Sequence, residues 1–167
     1  MKHTSRITAA LLLSVTAATS RSADAQSASP IAGTWTLVAA DLLHADGTRT
    51  TDYGASPKGL LIVDAKGRYS LQIFRSERPR FASGNKVTGT AAEFQAAAIG
   101  SSTHFGRMSL DTVAHVLTVN IEGASFPNQE GTQQKRAYVL EGDQLSYTVP
   151  ARAEGNTPIS VWRRVRD

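Results

Sequence analysis

AHVLTVNIEGASFPNQEGTQQKRAY, residues 114–138, contains two runs of alternating side chains, and the loop between them carries two glycines, a proline and an asparagine. Successive side chains of a β-strand point to opposite faces, so each run predicts one strand. We expect the first strand at residues 115–122 and the second at residues 132–138. The turn-forming residues between them indicate that the two strands pair with each other.

Polar side chains recur at every second position of both predicted strands. The first strand places Asn120 and Glu122 on one face, and the second places Gln134 and Arg136 on one face. An acid, two amides and a guanidinium thus have a spacing that allows them to lie side by side on paired strands. We expect these four side chains to face a common interior that holds a small molecule.

Similar alternation continues through most of the chain and predicts an all-β fold. About eight main strands are separated by hairpin-like turns, which favours an antiparallel up-and-down β-barrel because closure removes exposed strand edges. Eight strands enclose an interior that side chains fill or that holds one small ligand. A two-sheet sandwich is the alternative, but it predicts long cross-connections that the sequence lacks. The remaining strands are expected at residues 31–45, 48–51, 59–64, 68–75, 102–110, 144–149 and 157–165.

One helix is predicted, at residues 90–99, between the third and fourth main strands. This segment is rich in alanine and is followed by Gly100, which is typical of a helix end. Thr90 and Glu93 have the spacing of a capping box, in which each side chain satisfies a backbone N–H of the first turn. We expect this helix to cover one mouth of the barrel.

The N-terminal segment has the layout of a secretory signal peptide. A basic start precedes a short apolar run at residues 7–18, and small residues follow at the positions that a signal peptidase reads. We therefore expect residues 1–25 to be removed, residues 26–30 to form a linker, and residues 31–167 to form the barrel domain in the periplasm or outside the cell. The alternative is a disordered amphipathic start.

Composition excludes several classes of function. The chain has no cysteine, which excludes disulfides and thiolate metal sites. Its net charge is only +4 and no basic stripe carries interleaved aromatic residues, so we do not expect nucleic acid as a partner. His44, His104 and His115 lack the spacing of metal ligands, no glycine-rich phosphate loop precedes the helix, and no further apolar run is long enough to span a membrane. No metal, cofactor or membrane span is predicted.

Several short motifs follow one another in a fixed order along the chain. They are Gly33-Thr34-Trp35, Pro57-Lys58-Gly59-Leu60, Tyr69-Ser70-Leu71-Gln72, Phe105-Gly106, the run from Glu122 to Gly131, Gln134-Lys135-Arg136, and Trp162-Arg163-Arg164. With these motifs the chain resembles the lipocalin-like domain proteins of bacteria and fungi, and the likeness covers nearly all of it after the predicted signal peptide. Asn120 stands where a histidine is common in this group.

The resemblance implies a small β-barrel, in a group whose functions are mostly unassigned and in which some related barrels act in natural-product pathways. It also implies that Gly33, Trp35 and Arg164 are structural residues. In lipocalins an arginine after the last strand packs on the tryptophan of the Gly-x-Trp motif, and such a contact stabilises the floor of the barrel.

The candidate site is a ligand-binding pocket, and no catalytic residue is assigned. Binding pockets combine an apolar lining with a few polar groups, and the arginine fork and a carboxylate are suited to orient a ligand. Two structural alternatives remain: Glu122 and Arg136 form an ion pair that fastens adjacent strands, and His104 makes only a local hydrogen bond. The predicted ligand-binding residues are Ser70, Gln72, His104, Asn120, Glu122, Gln134 and Arg136.

Three functions are consistent with this sequence. The first is an exported barrel that binds a small, largely apolar molecule, hydrophobic or amphipathic, in its interior. The second is an isomerase or cyclase that uses the same pocket, with Glu122 as general base. The third is a structural protein of the cell envelope with a solid core. The volume and lining of the barrel interior distinguish them.

Overall fold

In the computed structural model, residues 29–166 are described, and antiparallel strands dominate them. The described residues also form one α-helix and a single turn of 3-10 helix, Pro127–Gln129. The elements in chain order are β1 (Gly33–Leu43), β2 (Arg49–Thr50), β3 (Lys58–Val63), β4 (Arg68–Phe74), α1 (Ala91–Ile99), β5 (Ser101–Asp111), β6 (Val116–Ala124), β7 (Gln133–Glu141), β8 (Gln144–Thr148) and β9 (Thr157–Arg164).

Eight of the nine strands form a closed barrel. From β3 onward each strand pairs antiparallel with the next along the chain, and β1 pairs with both β3 and β9. The ninth, β2, has two residues and extends only the end of β1. The prediction of an all-β, eight-stranded, up-and-down barrel is confirmed, and the two-sheet sandwich is excluded.

The predicted signal peptide, residues 1–25, lies outside the described residues, as do the first three residues of the predicted linker. Within residues 29–166, no helix has the length and apolar character needed to cross a membrane.

Helix α1 begins with the predicted capping box. The Thr90 hydroxyl accepts from the backbone N–H of Glu93, and the Glu93 carboxylate accepts from the backbone N–H of Thr90 at 2.7 Å. The same carboxylate accepts from the backbone N–H of Ala82 at 2.6 Å, which ties the preceding loop to the helix. These bonds satisfy N–H groups that the first helical turn leaves free.

Alternating side chains of the barrel strands build one core. On β6, Leu117, Val119 and Ile121 point inward and are buried, whereas the residues between them point outward. Leu145 on β8 and Trp162 on β9 are fully buried and lie directly opposite each other. A barrel with this alternation buries its apolar face without a second layer.

Trp35 fills the end of the barrel at which β1 begins. Its ring is fully buried, and its indole N–H donates to the backbone carbonyl of Ile31 at 2.9 Å. The guanidinium carbon of Arg164 lies 4.1 Å from the ring centroid, which is a cation–π distance. This stack seals one end of the barrel.

Gly33 makes room for this seal. Its φ of +130° is a conformation that side chains with a Cβ rarely adopt, and an added Cβ would lie 3.0 Å from a terminal nitrogen of Arg164. The Arg164 guanidinium also donates to the carbonyls of Ala32, at 2.5 Å, and Pro30, at 2.6 Å. The three residues that the resemblance marks as structural therefore meet at one point.

Trp35→Ala is expected to lower the free energy of unfolding by about 3–5 kcal/mol, because it removes a fully buried ring and leaves a cavity. Urea unfolding followed by circular dichroism measures the loss. Val139→Ala, at an exposed position on β7, is the control and is expected to change stability little. A loss of less than about 1 kcal/mol in Trp35→Ala would contradict the sealed end.

Candidate functional site

A cavity of about 760 Å³ occupies the half of the barrel away from Trp35. Its wall includes Ala40 in the second half of β1 and Pro158 at the start of β9. Its mouth is formed by connections at this end: residues 52–53, the end of α1 with Ala98 and Ile99, residues 125–129, and residues 150–154. The barrel is thus closed at one end and open at the other.

Two mouth loops are linked by charge. Arg152 donates to the carboxylate of Asp52 at 2.7 Å, and the Arg75 guanidinium carbon lies 5.7 Å from the ring centroid of Tyr53. The side chains of Arg152 and Asp52 are 43% and 18% exposed, so water screens their pairing and its contribution to stability is small. The pair connects the loop at residues 52–53 with the loop at residues 150–154.

A buried guanidinium lies in the cavity wall. Arg136 on β7 is 3% exposed, and its Nε and Nη2 donate to the side-chain oxygen of Gln134 at 3.2 and 2.7 Å. Its guanidinium carbon lies 5.0 Å from the ring centroid of Tyr147. Among residues 29–166, no carboxylate lies within salt-bridge distance of it. Burying an unpaired charge is costly, so this arrangement needs a functional explanation.

A hydrogen-bonded pair lies near this guanidinium. The Tyr69 hydroxyl and His104 Nδ1 are 2.7 Å apart, and both side chains are buried. Burial, with a smaller contribution from the positive charge of Arg136, lowers the pKa of His104 to about 3. Burial likewise raises the pKa of Tyr69. Both groups are therefore neutral at neutral pH, and the charge of the site comes from Arg136.

The Tyr147 hydroxyl lacks a hydrogen-bond partner. Tyr147 lines the cavity and is 2% exposed, and its oxygen is one of two buried side-chain polar atoms without a partner in residues 29–166. The other is Trp162 Nε1. Buried polar groups are normally hydrogen-bonded, and leaving one unpaired costs about 1–3 kcal/mol.

The predicted site residues divide between the two faces of the barrel wall. The structure brings His104, Gln134 and Arg136 together on the inner face, where they line the cavity. Their role in ligand binding stays a prediction. The other four side chains alternate with buried core residues and lie on the outer face: Ser70, Gln72, Asn120 and Glu122.

The expectation that Asn120 and Glu122 face the interior is therefore wrong. Residues directly opposite each other on antiparallel strands point to the same side. Arg136 is opposite Leu117, which points inward, whereas Asn120 is opposite Gln133, which points outward and donates to it at 2.7 Å. The apolar set of β6 occupies the interior, so its polar set faces water.

The outward position of Glu122 also excludes the predicted ion pair with Arg136. Glu122 accepts from Arg68 at 2.9 and 3.0 Å, with Arg107 at 3.9 Å, and its side chain is 41% exposed. Ser70 and Gln72 similarly bond to each other on the outer face of β4, at 2.7 Å. Because Glu122 lies outside the cavity, it cannot serve as a general base for a molecule bound there.

Sequence reasoning did not assign Tyr69, Ser102, Tyr147 or Ser160 to the site. Each points inward, and all except Tyr69 line the cavity wall. The signal for Tyr147 was its position two residues after Leu145 on an alternating strand, which places both on the inner face. Within the described part of the chain, no three His, Cys, Asp or Glu residues lie close enough to hold a metal ion.

A closed antiparallel barrel with one sealed end, and with a cavity open at the other, defines a class of barrel suited to binding small molecules. Residues 32–165 match the family described as lipocalin-like domain, and the chain belongs to this family. The resemblance seen in the sequence is confirmed. The chain matches no curated protein and no solved structure.

His104→Gln is expected to reduce the loss of stability on acidification. The pKa of His104 is about 3 in the folded chain, against 6.5 for the free side chain. Between these values the unfolded chain binds a proton that the folded chain does not. Stability is therefore unaffected by His104 above pH 6.5. As the pH falls from 6.5 towards 3, neutral His104 lowers the free energy of unfolding by about 1.4 kcal/mol per pH unit.

Urea unfolding at pH 7, 6, 5 and 4 measures this difference. His115→Gln is the matched control because His115 is exposed, and it should keep the wild-type slope. Parallel curves for wild type and His104→Gln would show that His104 is not held neutral by burial.

Proposed function

We propose that this protein is an exported binding protein whose barrel interior holds a small, largely apolar molecule. The main support for this proposal is the cavity of about 760 Å³, which is open at the mouth and closed at the Trp35 end. Pockets for small molecules typically have volumes of about 300–1,000 Å³. A cavity of this size supports binding over a structural barrel with a solid core.

The lining fits an amphipathic occupant. Apolar side chains, among them Leu71, Ile73 and Val149, form part of the lining. Polar side chains lie both at the mouth, as with Asp52 and Arg152, and deeper in the wall at Arg136. Burial of apolar ligand surface contributes about 25 cal/mol per Å², whereas the few polar groups fix orientation. This division of roles is that of a carrier site.

The alternative function, an isomerase or cyclase, required Glu122 as a general base inside the cavity. Glu122 pairs with Arg68 on the outer face, and His104 is the imidazole on the cavity wall, held neutral by its surroundings. The arrangement supports binding over isomerase or cyclase chemistry based on Glu122.

Export is part of the proposal and rests on the N-terminal sequence. If residues 1–25 are a cleaved signal peptide, protein recovered from the periplasm or the medium should begin at Gln26. N-terminal sequencing or intact mass of the recovered chain measures this. An uncleaved chain that stays inside the producing cell would contradict export.

Ser102→Trp is expected to weaken binding of N-phenyl-1-naphthylamine, a neutral lipophilic fluorophore, by about tenfold or more, because Ser102 lines the cavity. Fluorescence titration measures the affinity. The matched control is Thr103→Trp, which puts the same bulk on the opposite face one residue along β5. It should bind like wild type.

Circular dichroism establishes that both variants are folded before the titrations are compared. Equal affinities in the two folded variants would place the fluorophore outside the barrel. Failure of the wild type to bind any of a set of lipophilic probes would overturn the proposed function.

A further inference from the structure

We infer that the inner wall near Arg136 is an oxyanion site that selects ligands with a carboxylate group. The Arg136 guanidinium, the Tyr147 hydroxyl and the His104 ring are its donors. The inference rests on the proposed function, because the bound small molecule brings the anion into the barrel. It adds the chemical class of that molecule.

The charge balance of the cavity is the first argument. Two of the three carboxylates on the cavity lining are engaged: Asp41 accepts from Arg49 at 2.6 Å, and Asp52 accepts from Arg152 at 2.7 Å. The third, Glu154, is exposed on the mouth loop at residues 150–154. Arg136 alone lies deep in the wall without a carboxylate among the described residues. A ligand carboxylate supplies the charge that the chain does not.

The hydrogen-bond geometry of Arg136 is the second argument. The guanidinium has more N–H groups than Gln134 accepts, and Gln134 engages only the edge formed by Nε and Nη2. The guanidinium carbon lies 5.0 Å from the ring centroid of Tyr147, within cation–π distance. The Nη1 hydrogens and the second Nη2 hydrogen thus remain, and together they offer two parallel donors to a planar acceptor with two oxygens, a geometry that arginine recognises well.

The Tyr147 hydroxyl is independent support. The hydroxyl can donate a hydrogen bond, and no described residue accepts from it. Tyr147 as a whole is only 2% exposed. An anion bound to the guanidinium above this ring would accept from the hydroxyl as well. One ligand group then satisfies two otherwise unexplained features, the unpaired charge and the unpaired donor.

His104 adds selectivity for a single negative charge. Its ring faces Tyr69 and Arg136, and it stays neutral, so the site carries one positive charge rather than two. When the Tyr69 hydroxyl donates to Nδ1, the hydrogen of the neutral ring lies on Nε2 and is available to an acceptor. The site therefore suits a monoanion such as a carboxylate better than a dianion.

The test compares two probes of the same length, decanoate and 1-decanol, each displacing N-phenyl-1-naphthylamine at pH 7.5. In the wild type, decanoate should bind at least about tenfold more tightly than decanol, as expected for hydrogen bonds to a charged group. In Arg136→Met the ratio of the two affinities should fall to about one. Arg68→Met, the same replacement on the outer face, should keep the wild-type ratio.

Tyr147→Phe provides a second variant in case Arg136→Met does not fold. It removes only the hydroxyl, and the decanoate-to-decanol ratio should fall by about threefold or more. A ratio near one in the wild type, or an unchanged ratio in folded Arg136→Met, would overturn the oxyanion site while leaving the proposed function intact. Failure of all three probes to bind would overturn both.

Discussion

Closure of the sheet by β1 is the constraint on which the rest of the structure depends. This strand pairs with β3 through residues 33–36 and with β9 through residues 35–43, so it serves two neighbours at once. The register with β9 shifts between Leu37 and Ala39, and such an irregularity increases local bending. Without this double pairing the sheet would have two exposed edges. Because the chain has no cysteine, strand pairing and side-chain burial hold the barrel without disulfides.

Closure also decides which chemistry is available inside. Every second side chain of a barrel strand points inward, so each buried polar residue in that set needs a hydrogen-bond partner. Gln134 is a partner for Arg136, and Tyr69 is a partner for His104. Unused N–H donors remain on the Arg136 guanidinium, and the Tyr147 hydroxyl and Trp162 Nε1 have no partner among residues 29–166. The guanidinium and the Tyr147 hydroxyl give the cavity wall a polar patch.

The sequence predicted the strands, the closed barrel and the capping box of α1, because alternation and cap spacing are local signals. It did not predict which face of β6 points inward. Period two assigns Asn120 and Glu122 to one face, but only the competing apolar set, with Leu117 at its start, shows that this face is the outer one. The unpaired hydroxyl of Tyr147 depends on three neighbouring strands, and no pattern within one strand contains it.

The barrel separates its two tasks between its two ends. Gly33, Trp35 and Arg164 meet at the sealed end, whereas the cavity and its mouth loops lie at the other. Residues 150–154 or 125–129 can therefore acquire new side chains without disturbing the packing that keeps the strands joined. Surface loops tolerate such change well. Substitutions at the rim can therefore change the shape and charge of the opening, while the packing around Trp35 stays the same.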